Sequence, residues 1–355
     1  MTRLSIIPKQ MQKEARRQPP WLGIARMRVP RHNAAKFRCL VTLIGLILAG
    51  FISGAQDSHS PRSGSGDEYI LKVNANMVVL SATVLDRHNA LVSGLGKDDF
   101  QIYENGTLQQ IKQFSHEDIP VTVGILVDNS SSMGPKRADV IGAAMAFARS
   151  SNSRDQMFVV NFNDRVSFGL PAGTVFTDER DQLEQALLGI GAIGQTSLYD
   201  GVSVGLERLK LGSSDKKVLI LISDGGDNAS KHSLAQVLGM ARQSTAIIYT
   251  IGIFDEQDDD RNPGVLKSLA KETGGAAFFP DSSSGISAIC EQIARDIRNQ
   301  YTLTYVPTIT SQDGKYRTIA VKAKARDRGR LTVRTRPGYS VPLVNADIGS
   351  RGIQP

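Results

Sequence analysis

The sequence predicts an α/β fold: a doubly wound, mainly parallel sheet with helices on both faces, plus a small β-sandwich-like module built from flanking N- and C-terminal strands. Three observations carry this. From Pro120 to Asn299, short apolar runs alternate with helix-length amphipathic segments, and such β-α alternation implies parallel strands joined by right-handed crossovers. Runs such as Val218–Ile222 (VLILI) lack polar alternation, as do strands covered on both faces. Before and after this region the pattern changes to alternating strands and turns, too few on either side to bury two faces alone.

In chain order, residues 1–55 read as an export leader. Ten Lys or Arg and one acid fall in residues 1–38, and the uncharged apolar run Cys39–Ala55 follows, ending in Ser53-Gly54-Ala55. A positive n-region, an apolar h-region and small residues at the end predict a secretory signal cut before Gln56. The run also approaches spanning length, so a retained signal anchor with its basic end in the cytoplasm is the alternative. Met27 would make a more ordinary start. Either outcome predicts export to the periplasm, the cell surface or the medium, with an inner-membrane anchor if the leader stays. Residues 56–67 (QDSHSPRSGSGD) are a polar linker.

Residues 68–118 form an N-terminal β segment. Val73–Asp86 is β-branched and apolar, a polar break follows at Arg87-His88-Asn89, and Phe100, Ile102 and Tyr103 lead into Asn105-Gly106. That pair predicts a hairpin because both turn positions need φ > 0, with Ile111 and Phe114 on the return strand. Residues 119–299 are the α/β domain. Strands are predicted at Val121–Val127, Met157–Phe162, Val218–Ile222, Ala246–Phe254 and Ala276–Phe279. Helices are predicted at Lys136–Ser150, Asp178–Leu188, Leu198–Lys210, Ser233–Ser244, Pro263–Thr273 and Gly285–Asn299. Residues 300–342 return to strands around Tyr301, Leu303 and Tyr305, then Ile319 and Val321, then Leu331 and Val333. They are expected to pair with the N-terminal segment across the α/β domain. Residues 343–355 are tail.

A net charge of +7 raises nucleic acid as a partner. The excess sits in the leader, because residues 39–355 carry 32 basic and 34 acidic side chains. The folded part is slightly acidic, which removes the main support for nucleic-acid binding. A membrane enters only through an uncleaved leader. Of the two cysteines, Cys39 lies in the leader. A cleaved chain then has no internal disulfide, and Cys290 reads as a small core residue.

Ligands of an open parallel sheet gather beyond the carboxyl ends of its strands. The first buried strand runs into Asp128-Asn129-Ser130-Ser131-Ser132, the VLILIS strand into Asp224-Gly225-Gly226-Asp227, and Gly194-Gln195-Thr196-Ser197 precedes a helix. Asp128, Ser130, Ser132, Thr196 and Asp224 supply only oxygen, which selects a hard divalent cation: Mg²⁺ first, with Mn²⁺ or Ca²⁺ as alternatives. Two carboxylates balance the ion's charge while neutral hydroxyls leave it electron-poor, so a sixth position would attract an acidic group from a partner. The bland alternative uses Asp128 as a helix cap, Ser130 and Ser132 as turn residues and Asp224 as an acceptor for backbone donors.

At these residues the sequence resembles the von Willebrand factor A family, whose metal-ion-dependent adhesion site is D-x-S-x-S, a distant Thr and a later Asp. The resemblance covers about residues 119–299, and all five positions stand in the expected order. It implies Ser and Thr hydroxyls on the ion, and carboxylates bound directly or through water. GLGKDDFQIYENGTLQQI and RTRPGY further resemble a bacterial subgroup of exported proteins of this family.

Other motifs weigh less. Gly201-Val202-Ser203-Val204-Gly205 spells a nucleophile elbow but falls inside a helix. Gly189–Gly194 spells G-x-G-x-x-G after a helix rather than a strand, and reads as a loop carrying Thr196. Asp255, Glu256, Asp258, Asp259 and Asp260 read as a solvated loop, lacking the glycine and terminal Glu of a calcium loop. Metal-assisted hydrolysis lacks a water-activating base. The expectation is a non-enzymatic, exported recognition protein that binds a protein or glycan carboxylate through its cation. The alternative is a cell-envelope scaffold in which the β module makes the main contacts.

Overall fold

The computed structural model describes residues 77–189, 191–254, 261–281, 284–309 and 314–341. The leader, the linker, residues 68–76 of the N-terminal β segment, the acidic cluster at 255–260 and the tail lie outside the described residues.

Four strands come first: β1 (Val78–Leu85), β2 (Phe100–Glu104), β3 (Thr107–Gln109) and β4 (Ile111–Ser115). The α/β region begins with β5 (Val121–Asp128), α1 (Arg137–Ser150), β6 (Gln156–Phe162), β7 (Val166–Phe168), α2 (Arg180–Leu188) and α3 (Leu198–Leu209). It continues through β8 (Lys216–Ser223), α4 (Leu234–Gln243), β9 (Ile247–Gly252), α5 (Pro263–Thr273), β10 (Ala277–Phe278) and α6 (Ser284–Arg298). Strands β11 (Tyr301–Tyr305), β12 (Tyr316–Ala323), β13 (Thr332–Arg334) and β14 (Gly338–Ser340) follow.

The central sheet runs β10-β9-β8-β5-β6-β7, parallel except for β7. Three residues at an edge are too short for periodicity to register, and β7 is not foreseen from sequence. Every residue of β5 and β9 is buried, because α1, α2 and α6 form one helical layer and α3, α4 and α5 another. Local chemistry fixes the helix ends. Ser233 and Gln236 form a reciprocal capping box on α4, while Asn262 caps α5, with Pro263 in its first turn and Gly274 at its end. A turn of 3₁₀ helix at Ser131–Lys136 takes up the chain before α1, so that helix starts one residue later than expected.

Gly124 in β5 is a packing position. A Cβ there would lie 2.4 Å from Phe158 Cζ and 2.7 Å from Leu219 Cδ2. Strand propensity favours valine by at most about 1 kcal/mol, whereas overpacking a closed core costs about 1–3 kcal/mol. Gly124→Val is therefore expected to lower the midpoint of urea unfolding, and an unchanged midpoint would show that Phe158 yields freely.

The flanking strands build two antiparallel sheets, β13-β1-β11-β4 and β14-β12-β2-β3. Sequence-distant strands pair as expected: β1 with β11 (Leu80↔Leu303) and β2 with β12 (Ile102↔Val321). Between the sheets lies a second core of Leu80, Ala82, Val84, Phe100, Ile102, Tyr301, Leu303 and Tyr305. Its polar centre is Glu104, which accepts hydrogen bonds from Tyr305 Oη at 2.5 Å, Tyr339 Oη at 3.0 Å and Arg317 Nη1 at 3.2 Å.

One expectation needs correction. Asn105 and Gly106 do form the left-handed turn, with φ of 47° and 81°, but the return strand is β3. Ile111 and Phe114 belong to β4, which crosses to the other sheet and pairs with β11. The crossing seats Ile111 in the sandwich core and gives β4 the edge of β11 to pair with.

Polar contacts join the sandwich to the α/β region. Buried Asp296 of α6 accepts from Thr83 Oγ1 at 2.8 Å, Tyr249 Oη at 3.0 Å and the Arg334 guanidinium. Arg336 reaches the carbonyls of Ala241 and Ser244 at the end of α4.

Candidate metal centre

From β5 the chain crosses to β6 on one side and later returns to β8 on the other. Crossovers therefore diverge between β5 and β8, and the crevice beyond the carboxyl ends of such a pair is open to a ligand. Asp128 ends β5 and Asp224 follows β8. The register Val127↔Ile222 sets Asp128 beside Ser223.

Four of the five predicted residues form one connected set. The Ser130 N–H donates to Asp128 Oδ1 at 2.9 Å, Ser130 Oγ lies 3.1 Å from Ser132 Oγ, and Ser132 Oγ donates to Asp224 Oδ2 at 2.6 Å. Thr196, the fifth, is buried and placed by its backbone. Its N–H donates to Asn228 Oδ1 at 2.8 Å, and its carbonyl accepts from the N–H groups of Asn228 and Ala229 in the Asp224 loop. The same segment meets the Asp128 loop, where Ser131 N–H donates to the Gly194 carbonyl at 3.2 Å and Ile193 N–H to the Asn129 carbonyl at 3.0 Å. Three loops from separate parts of the chain are thus joined edge to edge.

Both carboxylates are almost fully buried, Asp128 at 2% exposure and Asp224 at 1%. Burial, and after it the charge of Asp224, push the Asp128 carboxyl up to about 7, against the opposing hydrogen bonds from Ser130 and Ser223. Among the described residues no lysine or arginine forms an ion pair with either carboxylate, and no group of three or more His, Cys, Asp or Glu side chains could hold a metal. A cation here would rest on two carboxylates and on serine and threonine hydroxyls, an all-oxygen set suited to a hard divalent ion. The donor chemistry fits such an ion.

Several supporting residues escape sequence reading. Ser223 Oγ donates to Asp128 Oδ2 at 2.6 Å and accepts from Gly225 N–H at 2.9 Å. Asn129 Nδ2 donates to Asn161 Oδ1 at 2.9 Å, and Arg137 Nη1 donates to Asn129 Oδ1 at 2.6 Å, so Arg137 braces the first loop from α1. Gly225 has φ of 86°, and a Cβ there would meet the Asn262 carbonyl at 2.4 Å, where Asn262 N–H also bonds the Asp224 carbonyl. The one local signal was adjacency: Ser223 and Gly225 flank Asp224, but their roles depend on which strands are neighbours. Nearby acids are otherwise engaged. Asp227 Oδ1 accepts from Tyr199 N–H and Ser230 Oγ, and Asp200 accepts from the Lys231 and His232 N–H groups. Ser203 is buried within α3, so the elbow spelling carries no exposed nucleophile.

The structure is thus a doubly wound α/β domain with a cluster of carboxylates and hydroxyls at its switch point. Residues 122–292 match the von Willebrand factor type A domain, and this segment of the chain is a domain of that family. Solved structures of similar fold include the protein BatB from Bacteroides thetaiotaomicron, at 17% identity and a TM-score of 0.40, covering 50% of this chain and 98% of that one. A von Willebrand factor type A protein from Catenulispora acidiphila is similar at 14% identity and a TM-score of 0.46, covering 77% of this chain and 75% of that one. Proximal thread matrix protein 1 from the mussel byssus, with a zinc-occupied MIDAS motif, is similar at 18% identity and a TM-score of 0.45, covering 55% of this chain and 49% of that one.

Proposed function

We propose that this protein is an exported, non-catalytic recognition protein whose α/β domain binds a carboxylate of a protein or glycan partner through one divalent cation, Mg²⁺ before Mn²⁺ or Ca²⁺. Asp128, Ser130, Ser132, Thr196 and Asp224 would hold the ion. The observation that carries the reading is the pair of buried carboxylates at the switch point, joined through hydroxyls and lacking an ion pair with any described lysine or arginine. When bound, the cation supplies a Lewis-acidic position for an incoming carboxylate oxygen. The chain's own residues do the rest. Ser223 and the Ser130 N–H orient Asp128, Gly226 N–H orients Asp224 at 3.0 Å, and Arg137 with Asn129 holds the first loop. Such a preformed oxygen set lowers the ordering cost of binding. Binding rather than catalysis is favoured because the nearby acids cap backbone and Ser203 is buried.

The test is calorimetric titration of Mg²⁺ into the purified chain, followed by screening an array of acidic peptides and uronic-acid glycans in Mg²⁺ or EDTA. Wild type is expected to bind Mg²⁺ and to retain a subset of carboxylate-bearing members in Mg²⁺ alone, whereas Asp128→Ala and Thr196→Ala do neither. Retention unchanged by EDTA and by both substitutions would overturn the reading and move the contact surface to the sandwich.

A further inference from the structure

The sandwich carries a feature that the cation site does not use. β12 pairs with β14 only over Tyr316–Thr318, and β13 is the last strand of the opposite sheet. Beyond that point the edges of the two sheets part, and a cleft of about 770 Å³ opens between them. Its floor is apolar: Val321, Ala323, Leu331 and Val333 line it, and Val321, Leu331 and Val333 also pack against the sandwich core. Its rim is cationic. Lys324, Arg326 and Arg330 line the cleft on the connection between β12 and β13, all exposed and none in an ion pair with a described residue. The acid on the lining, Asp99, is engaged, since its carboxylate accepts from Gly96 N–H at 2.8 Å; Asp327 on the same connection is exposed.

We propose that this cleft binds an anionic amphiphile, with an alkyl chain between the sheet edges and a phosphate or carboxylate head on Lys324, Arg326 and Arg330. The volume falls within the range of small-molecule sites, about 300–1,000 Å³. Apolar depth recognises the chain through burial, and exposed cations at the mouth recognise the head. An acidic peptide added as an extra strand fits less well. Such a peptide would meet the charges of the rim but bring no alkyl group to the floor of Val321, Ala323, Leu331 and Val333.

The test uses the full chain and a dodecyl phosphate bearing a terminal diazirine, photolysed and mapped by mass spectrometry. Label is expected on residues 321–333, displaced by unmodified dodecyl phosphate but not by inorganic phosphate, dodecyl maltoside or a polyglutamate peptide. The triple variant Lys324→Glu, Arg326→Glu, Arg330→Glu should lower labelling at least tenfold, while Lys324→Arg keeps it. Leu331→Trp, which fills the floor and leaves the rim intact, should also abolish it. Label scattered over the surface, displacement by inorganic phosphate or by polyglutamate, or a triple variant that labels like wild type would each overturn the proposal.

Discussion

In EDTA at pH 7.5, Asp128→Asn is expected to melt at a higher temperature than wild type, while losing all stabilisation by Mg²⁺. Burial, and after it Asp224, raise the Asp128 carboxyl to about 7, from an ordinary value near 4. Between about pH 4 and 7 the folded state holds a proton that the unfolded chain has released, so stability without cation falls as pH rises through that window. The cost is fully present above pH 7, on the order of a few kcal/mol. Asparagine removes that charge and keeps an acceptor oxygen for either Ser223 or the Ser130 N–H. Asp128→Ala also removes the charge but leaves both donors without the acceptor, at about 1–3 kcal/mol each, so it should fall below the asparagine variant. Wild type at a hundredfold excess of Mg²⁺ over its Kd should regain about 2.7 kcal/mol. Melting curves of the three proteins from pH 5 to 8, with and without Mg²⁺, check this. An asparagine variant no more stable than wild type in EDTA would show that the buried carboxylate carries no such strain.

Asp296→Ala is expected to cost about 3–5 kcal/mol, the range for removing one partner of a buried ion pair. Asp296 is 4% exposed and is the common acceptor for Thr83 on β1, Tyr249 on β9 and Arg334 on β13. Its loss leaves the fully buried Tyr249 hydroxyl without this acceptor and the Arg334 guanidinium without its carboxylate. The sandwich is closed by chain from both sides of the α/β domain, so weakening this seam should loosen both parts. Urea unfolding followed by circular dichroism should show a clearly lower midpoint for the variant. A midpoint within experimental error of wild type would mean that the β1–β11 and β2–β12 pairings hold the two parts without Asp296.

Much of the α/β domain was legible because each element carries its own period. Runs such as Val218–Ile222 are apolar throughout, as buried parallel strands must be, and the helices announce their ends in Ser233, Asn262-Pro263 and Gly274. Cys290 reads as a core residue and is one, with burial pushing its thiol up to about 12. Asp128 and Asp224 could be picked out as candidates because Asp128 ends one strand of recognisable type and Asp224 follows another. The pairing of flanking strands into a sandwich was foreseeable from their number alone, since neither set could cover a core by itself.

What the sequence by itself determined was therefore local: which stretches are strand or helix, where they end, and which polar side chains the strands deliver to one edge. The tertiary structure alone decided the partners. Ser223 orients Asp128 only because β8 lies beside β5, Asn228 holds Thr196 only because two loops meet, and β4 leaves the hairpin only because β11 offers it a place in a second sheet. Asp296 and the cationic cleft belong to the same class. The physical reason is that side-chain period and capping act over a few residues, whereas these contacts join residues up to 213 positions apart. Strand order and register, which depend on burying both cores together, set them.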